Sequence, residues 1–175
     1  MEHSYSIRKL EPDDSVSCFK SGDAIFTPLK TFLQKHAQDF QAAHVAQTYV
    51  AVDDSKVVIG FVTLTCSEID LRNGYELIDC QHANRYDTLP AIKIVRLAVD
   101  SRYRYKRIGE NLFSHTLGVI ITQISPFVGC RFIITDAKNN AVSFYTKQGF
   151  ILLDTEENKQ RESPVMFFDL LPYLE

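Results

Sequence analysis

A strand that leads through a short basic turn into a long amphipathic helix constrains the fold of this chain more than any other feature. Residues Ala91 to Val99 are mostly apolar, which is typical of a buried strand. From Arg107 to Ile124, apolar residues recur at the spacing of one helix face. A buried strand followed by a helix that covers it predicts an α/β or α+β fold, in which helices flank a mixed sheet.

Antiparallel strands and a helix are predicted before this segment. β-Branched and aromatic residues at 48–52 and 57–65 predict the two strands of a β-hairpin. Thr27 and Pro28 are typical of the N-cap and the first residue of a helix, which we expect to reach about His36.

The remaining predictions concern shorter elements and one segment of open role. We expect further strands at 4–9, 131–135, 150–153 and 165–170, and helices at 38–44 and 139–148, the second of which ends at Gly149. Residues 70–88 are polar and show no clear period, so we treat them as an insertion or a long connection.

Length and composition are those of one folded domain spanning residues 1–175. Hydrophobic residues make up 45% of the chain and charged residues 23%, which is close to the average for globular proteins. No apolar run approaches the roughly 20 residues that cross a bilayer, and the first residues lack the apolar core of a secretory signal. We therefore expect a cytoplasmic protein without membrane contact.

Cysteine and histidine spacing gives no indication of a metal site. The four cysteines include no C-x-x-C pair, and the five histidines include no H-E-x-x-H motif. A domain of this size also folds without disulfides, so we expect four reduced thiols. We expect a protein that needs no metal.

Positive charge is concentrated in the turn before the long helix. Positions 102–107 contain four basic residues, whereas the whole chain carries −3, so the other residues together carry −7. The free N–H groups and the dipole of a helix N-terminus attract anions. Gly109 would let a phosphate approach the backbone, and Arg104, Lys106 and Arg107 would add charge-assisted hydrogen bonds. The turn is a candidate diphosphate site; the alternative is a solvated basic loop.

Two familiar phosphate-binding motifs are absent from the sequence. Neither G-x-x-x-x-G-K-[ST] nor G-x-G-x-x-G occurs, which weighs against nucleoside triphosphatases and Rossmann dehydrogenases. The pattern favours a diphosphate that is bound by backbone amides.

The same segment resembles the first signature of the GNAT superfamily, the acyl-CoA N-acetyltransferases. In that family a strand of the type L-A-V is followed by Q/R-x-x-G-x-G/A at the start of a helix. Here Leu97-Ala98-Val99 precede Arg104-Tyr105-Lys106-Arg107-Ile108-Gly109, so the first residue and the last glycine match. Arg107 stands where the family has its first glycine. We expect the Arg107 side chain to point away from the diphosphate or to bind the diphosphate from one side.

Residues 138–150 resemble the second GNAT signature, N-x-x-A-x-x-F/L-Y-x-x-x-G-F. The alanine, the Phe-Tyr pair and the final Gly-Phe match, whereas Lys138 replaces the leading asparagine. Two signatures in the right order imply an acetyl-CoA-dependent N-acetyltransferase. They also imply the GNAT fold, a mixed, mostly antiparallel central sheet flanked by helices, with strands that splay at the acetyl-CoA site.

The resemblance implies roles for individual residues. Tyr145 is the candidate general acid, because a phenol of pKa about 10 can donate to the CoA thiolate, whose thiol has a pKa near 8.5; the alternative is a core tyrosine at a helix end. Backbone groups of the L-A-V strand would hold the pantetheine arm and the thioester carbonyl. The candidate cofactor-binding residues are Leu97, Ala98, Val99, Arg104, Tyr105, Lys106, Arg107, Ile108, Gly109, Lys138, Ala141 and Phe144.

A general base for the acceptor amine is harder to identify. Some relatives carry an acid on the strand where this chain has Lys93 and Arg96. Glu68 and Asp70 are candidate bases, although a solvated strand end is the simpler interpretation. An α-amine, with a pKa near 7.7, needs less help from a base than a lysine amine near 10.4.

A wider resemblance links most of the chain to a bacterial GNAT branch that includes toxins acetylating the α-amine of aminoacyl-tRNA. Matching segments include F-K-S-G-D, Q-T-Y-V-A-V and D-A-K-N-N-A-V-S-F-Y. The branch implies aminoacyl-tRNA as a partner, with Lys93, Arg96 and Lys138 as a local basic rim that binds the substrate. The acidic remainder of the chain weighs against a broad tRNA-binding face.

Other functions stay open at this point. The acceptor could instead be a small-molecule amine or a protein N-terminus. Arg107 favours a different class, a degenerate module that binds acyl-CoA without turnover. A final strand without a partner would favour a homodimer.

Overall fold

A computed structural model describes residues 4–174 and contains one mixed sheet. Its strands are β1 (Tyr5–Lys9), β2 (Gln47–Asp53), β3 (Val58–Ile69), β4 (Leu89–Val99), β5 (Phe132–Asp136), β6 (Ile151–Leu152) and β7 (Val165–Asp169). They are ordered β1-β2-β3-β4-β5-β7-β6. The pair β4–β5 is parallel, whereas β1–β2, β2–β3, β5–β7 and β6–β7 are antiparallel. The predicted mostly antiparallel sheet is confirmed.

Five α-helices accompany the sheet in the described part of the chain. They are α1 (Thr27–Lys35), α2 (Ala37–Ala42), α3 (Ile108–Val119), α4 (Val142–Lys147) and α5 (Glu156–Lys159). A π-helical turn, Ile120–Ile124, continues α3. Between residues 4 and 174 no helix combines the length and the apolar character that crossing a membrane requires. The predicted helices are all present, and α5 is an addition.

The first turn of α1 differs from the prediction. A 3-10 turn, Ala24–Phe26, leads directly into the helix, so Phe26 occupies the N-cap position without a side-chain cap. Thr27 is the first helical residue, and its predicted role as N-cap is wrong. The preceding 3-10 turn makes a capping hydroxyl unnecessary, because it already continues the helical direction of the chain.

Contacts divide the chain into two compact units. The first contains the described residues up to Thr65 together with Ile94–Gly118, and the second contains Cys66–Lys93 together with the residues from Val119 onward. In the first unit, a buried cluster joins β2 and β3 to α1 and includes Phe19 and Phe61, whose ring centroids lie 5.7 Å apart.

The core of the second unit includes the segment at 70–88, whose role the sequence left open. Leu71 and Leu77 are buried in a cluster with Phe132 of β5 and Phe167 of β7. Asp79 forms an ion pair with Arg131 at 2.7 Å. The segment therefore belongs to the folded core, although its polar composition gave no sign of this.

The final strand has neighbours on both sides. β7 lies between β5 and β6, and the outer strand β6 is only two residues long. The expectation of a final strand without a partner is therefore wrong, because the chain after α4 turns back and inserts β7 into the sheet. A homodimer stays a prediction that no longer rests on this strand.

Candidate active site

The end of β4 presents a partly open apolar surface in the first unit. Residues 95–99 are all half-buried, in contrast to Ile94, which is buried. Ala98 packs against the buried cluster of this unit. The ladder between β4 and β5 covers only the first part of β4, pairing Ala91–Lys93 with Phe132–Ile134. The predicted Leu97-Ala98-Val99 segment thus lies beyond that ladder, with side chains that are not fully in the core.

A buried carboxylate anchors the start of the basic turn. The Asp100 side chain is fully buried and accepts hydrogen bonds from the backbone N–H groups of Lys20 and Arg102 at 2.9 Å. The Arg102 guanidinium donates to both of its oxygens, at 2.9 and 2.7 Å. Burial acts to raise the pKa of Asp100, but the hydrogen bonds from Arg102 and Lys20 outweigh it, so the pKa is lowered. The carboxylate is therefore charged and fixes the path of the turn.

Two of the predicted phosphate-binding cations make contacts within the turn and its neighbouring segment. Arg104 donates to the carbonyl of Ser21 at 2.9 Å, and its guanidinium lies 5.5 Å from the ring centroid of Phe26. Lys106 Nζ lies 5.2 Å from the ring centroid of Tyr103. The Arg104 side chain thus holds the segment before α1. The backbone of Arg104 is the part of this residue that is available to a ligand.

Arg107 adopts the backbone conformation that the family glycine would provide. Its φ is +57°, in the left-handed region, and Tyr105 also has a positive φ of +66°. The Arg107 side chain is 79% exposed and forms an ion pair with Glu110 at 2.7 Å. The turn therefore keeps a glycine-like path, and the arginine side chain extends into solvent. Tyr105 is fully exposed at the tip of the same turn.

Close packing against the sheet sets the position of α3. Ile108 and Leu112 are buried on this helix. A Cβ at Gly60 of β3 would lie 2.9 Å from Ile108 Cγ2 and 3.1 Å from Leu112 Cδ1. Gly60 therefore lets the first turns of α3 approach β3 closely. The predicted Gly109 is the second residue of α3 and is half-buried.

In the second unit, α4 holds the predicted acid in a nearly closed environment. Tyr145 is 6% exposed, and the ring centroids of Phe144 and Phe150 lie 5.2 and 5.1 Å from its own. Burial raises the pKa of Tyr145 to about 12, and a hydrogen bond with the Thr135 side chain acts in the opposite direction. The phenol is therefore neutral over the physiological pH range and can donate a proton or a hydrogen bond.

The other predicted residues of the second signature lie just before Tyr145. Lys138 is exposed and precedes a 3-10 turn, Asn139–Ala141, that leads into α4. Ala141 and Phe144 are half-buried. Gly149, with a φ of +94°, ends the helix as predicted. The second signature thus forms one continuous helical segment.

Two residues of the predicted basic rim are engaged inside their own units. In the second unit Lys93 Nζ forms an ion pair with Asp136 at 2.5 Å. In the first unit the Arg96 guanidinium stacks over the Phe32 ring at 3.7 Å, and burial lowers its pKa. Of the three predicted substrate-binding cations, Lys138 is the exposed one.

A polar groove of about 980 Å³ opens in the second unit. Glu68 and Asp70, the candidate bases, both line it. The Arg72 guanidinium holds both oxygens of Asp70 and lowers its pKa, which makes this carboxylate a weak base. Glu68 accepts a hydrogen bond from the Thr88 hydroxyl at 2.9 Å.

Sequence reasoning did not identify Thr135, Asp136 or the groove. Asp136 belongs to the D-A-K segment quoted for the wider resemblance, and that motif was its one available signal. Thr135 carries no signal, because a threonine in a buried strand is ordinary. Its contact with Tyr145 arises only when β5 and α4 come together in the fold.

One acidic group in the first unit has the spacing of a metal site. Glu11, Asp13 and Asp14 offer oxygens within 4.8 Å of one another. Arg8 already donates to both oxygens of Asp14, and Lys56 pairs with Asp13. These carboxylates are thus engaged by cations of the chain itself.

Comparison with known proteins identifies the family. Residues 44–152 match the family model described as an acetyltransferase (GNAT) domain. A tRNA-acetylating toxin of Mycobacterium tuberculosis is 26% identical over 150 residues, which cover 85% of this chain and 86% of that protein.

Two solved structures have the same fold. The structure of AtaT complexed with acetyl-methionyl-tRNAfMet has a TM-score of 0.83 at 23% identity and 97% coverage of both chains. The structure of AtaTR bound with AcCoA has a TM-score of 0.74 at 24% identity, covering 98% of this chain and 96% of that chain. The family match spans both signature segments up to Leu152, and on this ground the protein belongs to the GNAT acetyltransferase family.

Proposed function

We propose that this protein transfers the acetyl group of acetyl-CoA to the α-amine of an aminoacyl-tRNA. The observation that carries the proposal is the relationship to a tRNA-acetylating toxin over 85% of the chain. A relative that shared only the cofactor-binding signatures would match a shorter segment, because both signatures lie between residues 97 and 150. The match therefore extends well beyond the two signature segments.

The local geometry suits acetyl-CoA as the acetyl donor. The basic turn keeps left-handed backbone at Tyr105 and Arg107 and leads into the N-terminus of a twelve-residue helix, which favours a diphosphate. The half-buried end of β4 offers apolar side chains and backbone groups to a pantetheine arm. Arg107 does not fill the turn, because its side chain extends into solvent. This argues against a degenerate module that has lost its cofactor site.

Tyr145 acts in the proposed reaction as the donor to the leaving thiolate. When the amine attacks the thioester carbonyl, a C–N bond forms, the C–S bond breaks and the sulfur takes the electron pair. A phenol with a pKa near 12 is fully protonated at neutral pH. Its O–H can stabilise the thiolate by a hydrogen bond and pass on its proton, which the acceptor ammonium resupplies through solvent.

Asp70 in the groove of the second unit is a weak base, because Arg72 holds it and lowers its pKa. This favours an acceptor that needs little deprotonation. Asp136 of the same groove is paired with Lys93 and Arg161. An α-amine, with a pKa near 7.7, is already substantially neutral at physiological pH, unlike a lysine side chain. The amine of an aminoacyl ester fits this environment. Such a substrate occurs in the cytosol, where we propose that the enzyme acts.

The experiment is transfer of radiolabelled acetyl from acetyl-CoA to a total tRNA pool, charged or deacylated, with release of free CoA measured in parallel. We expect label in charged tRNA only, and its loss on mild alkaline hydrolysis of the ester. Tyr145→Phe should lower kcat by about 100-fold or more with little change in the KM for acetyl-CoA.

Amines of other classes serve as the comparison. A polyamine mixture and peptides with free N-termini are tested under the same conditions. Faster CoA release with either of these than with charged tRNA would contradict the proposed acceptor and leave the acetyltransferase activity in place.

A further inference from the structure

Strand β5 directs adjacent side chains to opposite faces of the second unit. Thr135 contacts the Tyr145 side chain, whereas its neighbours Ile134 and Asp136 line the polar groove. Alternation of side chains along a strand explains this arrangement. A molecule in the groove therefore lies on the opposite face of β5 from the Tyr145 side chain.

The lining of the groove is strongly polar and carries an excess of negative charge. Six carboxylates and four cations line it, so the excess is two negative charges. Its apolar members, such as Ile69, Ile134 and Leu153, are buried in the core beneath it. Neither a bulky apolar side chain nor a polynucleotide phosphate finds matching chemistry there.

Ion pairing within the groove distinguishes the carboxylates that a cation of the chain already contacts. Asp70 pairs with Arg72, Asp136 with Lys93 and Arg161, and both Asp154 and Glu156 with Lys159. Across residues 4–174, no ion pair involves Glu68 or Glu157. These two carboxylates lie on β3 and α5 and are available to a cation.

We propose that this groove binds the amino-acid part of the acceptor and selects amino acids with a positively charged side chain. The inference rests on the proposed function and narrows its substrate class to aminoacyl-tRNAs such as those that carry arginine. Glu68 and Glu157 are the specificity-determining residues, and the cationic side chain of the substrate lies between or beside them. The α-amine of the same amino acid points toward β5.

The test uses minihelix RNAs charged with arginine, with its neutral isostere citrulline, or with methionine. Arginine and citrulline have nearly the same size, so their difference reports charge. We expect kcat/KM for arginine to exceed that for citrulline and for methionine by about tenfold at low salt. Raising the salt concentration should reduce the ratio, because it screens the exposed carboxylates.

Variants locate the effect within the groove. The double variant Glu68→Gln with Glu157→Gln should bring the arginine-to-citrulline ratio close to one. Glu76→Gln is the matched control, because Glu76 is exposed in the same unit outside the groove. The Glu76→Gln variant should keep the arginine-to-citrulline ratio of the wild-type enzyme.

Three outcomes separate this inference from the proposed function. Equal rates for arginine and citrulline in the wild-type enzyme would overturn the selectivity and leave tRNA acetylation standing. A ratio that survives the double variant would overturn the assignment to Glu68 and Glu157. If no charged minihelix is acetylated while CoA is released with other amines, both proposals fail.

Discussion

At the scale of residues, the turn between β4 and α3 shows that a signature glycine can be replaced while its backbone conformation is kept. Arg107 holds a φ of +57°, which costs an L-residue about 1 kcal/mol relative to glycine. Its ion pair with Glu110 is exposed and offsets little of that cost. We therefore expect the backbone conformation at this position to matter to the turn more than the identity of the residue.

Arg107→Gly should therefore leave the turn intact. Glycine adopts the left-handed conformation without strain, which stabilises the folded state, but it also has more conformational freedom in the unfolded chain, which opposes folding. Because the two effects oppose each other, we expect the free energy of unfolding to change by less than about 1 kcal/mol. The affinity for CoA, measured calorimetrically, should change by less than about threefold.

Arg107→Val provides the contrast, because a β-branched residue is strongly disfavoured at positive φ. It should lower Tm and weaken CoA binding by at least about tenfold. Equal CoA binding by both variants would show that the left-handed conformation is not needed.

Tyr145 should make stability fall at alkaline pH. Burial raises its pKa in the folded state to about 12 from an ordinary value of 10, so the unfolded chain releases this proton first as the pH rises. The stability that the neutral phenol provides is fully present below pH 10 and declines above it, by about 2 kcal/mol at pH 12.

Denaturant unfolding of wild type and Tyr145→Phe isolates this effect. At pH 8 the variant should be less stable by about 1 kcal/mol, because it lacks the hydrogen bond to Thr135. This difference in stability between wild type and variant should vanish or change sign as the pH approaches 12. A gap that stays constant up to pH 12 would show that Tyr145 titrates at the same pH in both states.

At the scale of elements, the distance between β3 and α3 sets the position of the basic turn. Gly60 has no side chain, and Ile108 and Leu112 occupy the space where one would lie. The helix is amphipathic, so its pattern predicts that it packs on the sheet, but not how closely. The distance between α3 and the sheet depends on Gly60, which lies on β3 and not in the helix itself.

Gly60→Ala should destabilise the fold by about 1 to 3 kcal/mol, because the new methyl group would lie 2.9 Å from Ile108 Cγ2. Thermal unfolding measures this effect, and the KM for acetyl-CoA should rise as the start of α3 moves.

Gly118→Ala on α3 is the matched control, since a Cβ there would have no atom within 4 Å outside its chain neighbours and the backbone of its own helix. Alanine has the higher helix propensity, so this variant should be as stable as the wild type or slightly more stable. A destabilisation equal to that of Gly60→Ala would indicate a general intolerance of this region.

At the scale of the whole molecule, charge distribution limits how a nucleic acid can bind. The chain carries a net charge of −3, and the basic residues of the turn are directed at groups of their own unit. Salt dependence of nucleic-acid binding reports the number of phosphates that a protein neutralises. Because the protein is acidic and the arginines of its basic turn are engaged within their own unit, we expect a weak dependence.

The logarithm of KM for charged tRNA, plotted against the logarithm of the salt concentration, should rise with a slope below about 4, corresponding to about four phosphate contacts or fewer. Initial rates from 50 to 300 mM potassium acetate provide the measurement. A slope of 7 or more would require an extensive basic face that the charge distribution does not suggest. Acetylation of a free amino-acid ester, which carries no phosphate, is the control for effects of salt on the reaction itself.

The sequence alone indicated the family and the order of the elements other than α5. Both signatures lie on local segments, where turn chemistry and hydrophobic period are set by neighbouring residues. The strand at 91–99, the helix after it and the Phe-Tyr helix ended by Gly149 could be predicted for this reason. The family match confirmed the acetyltransferase interpretation.

Only the tertiary structure decided which side chains are free and which are engaged. Lys93 is paired with Asp136 and Arg96 stacks on Phe32, although both had been expected at a substrate rim. The raised pKa of Tyr145 and the insertion of β7 into the sheet likewise depend on residues distant in sequence. Local patterns fix backbone conformation, because it depends on adjacent residues. Burial and charge pairing arise only from long-range packing, which one sequence does not specify by inspection.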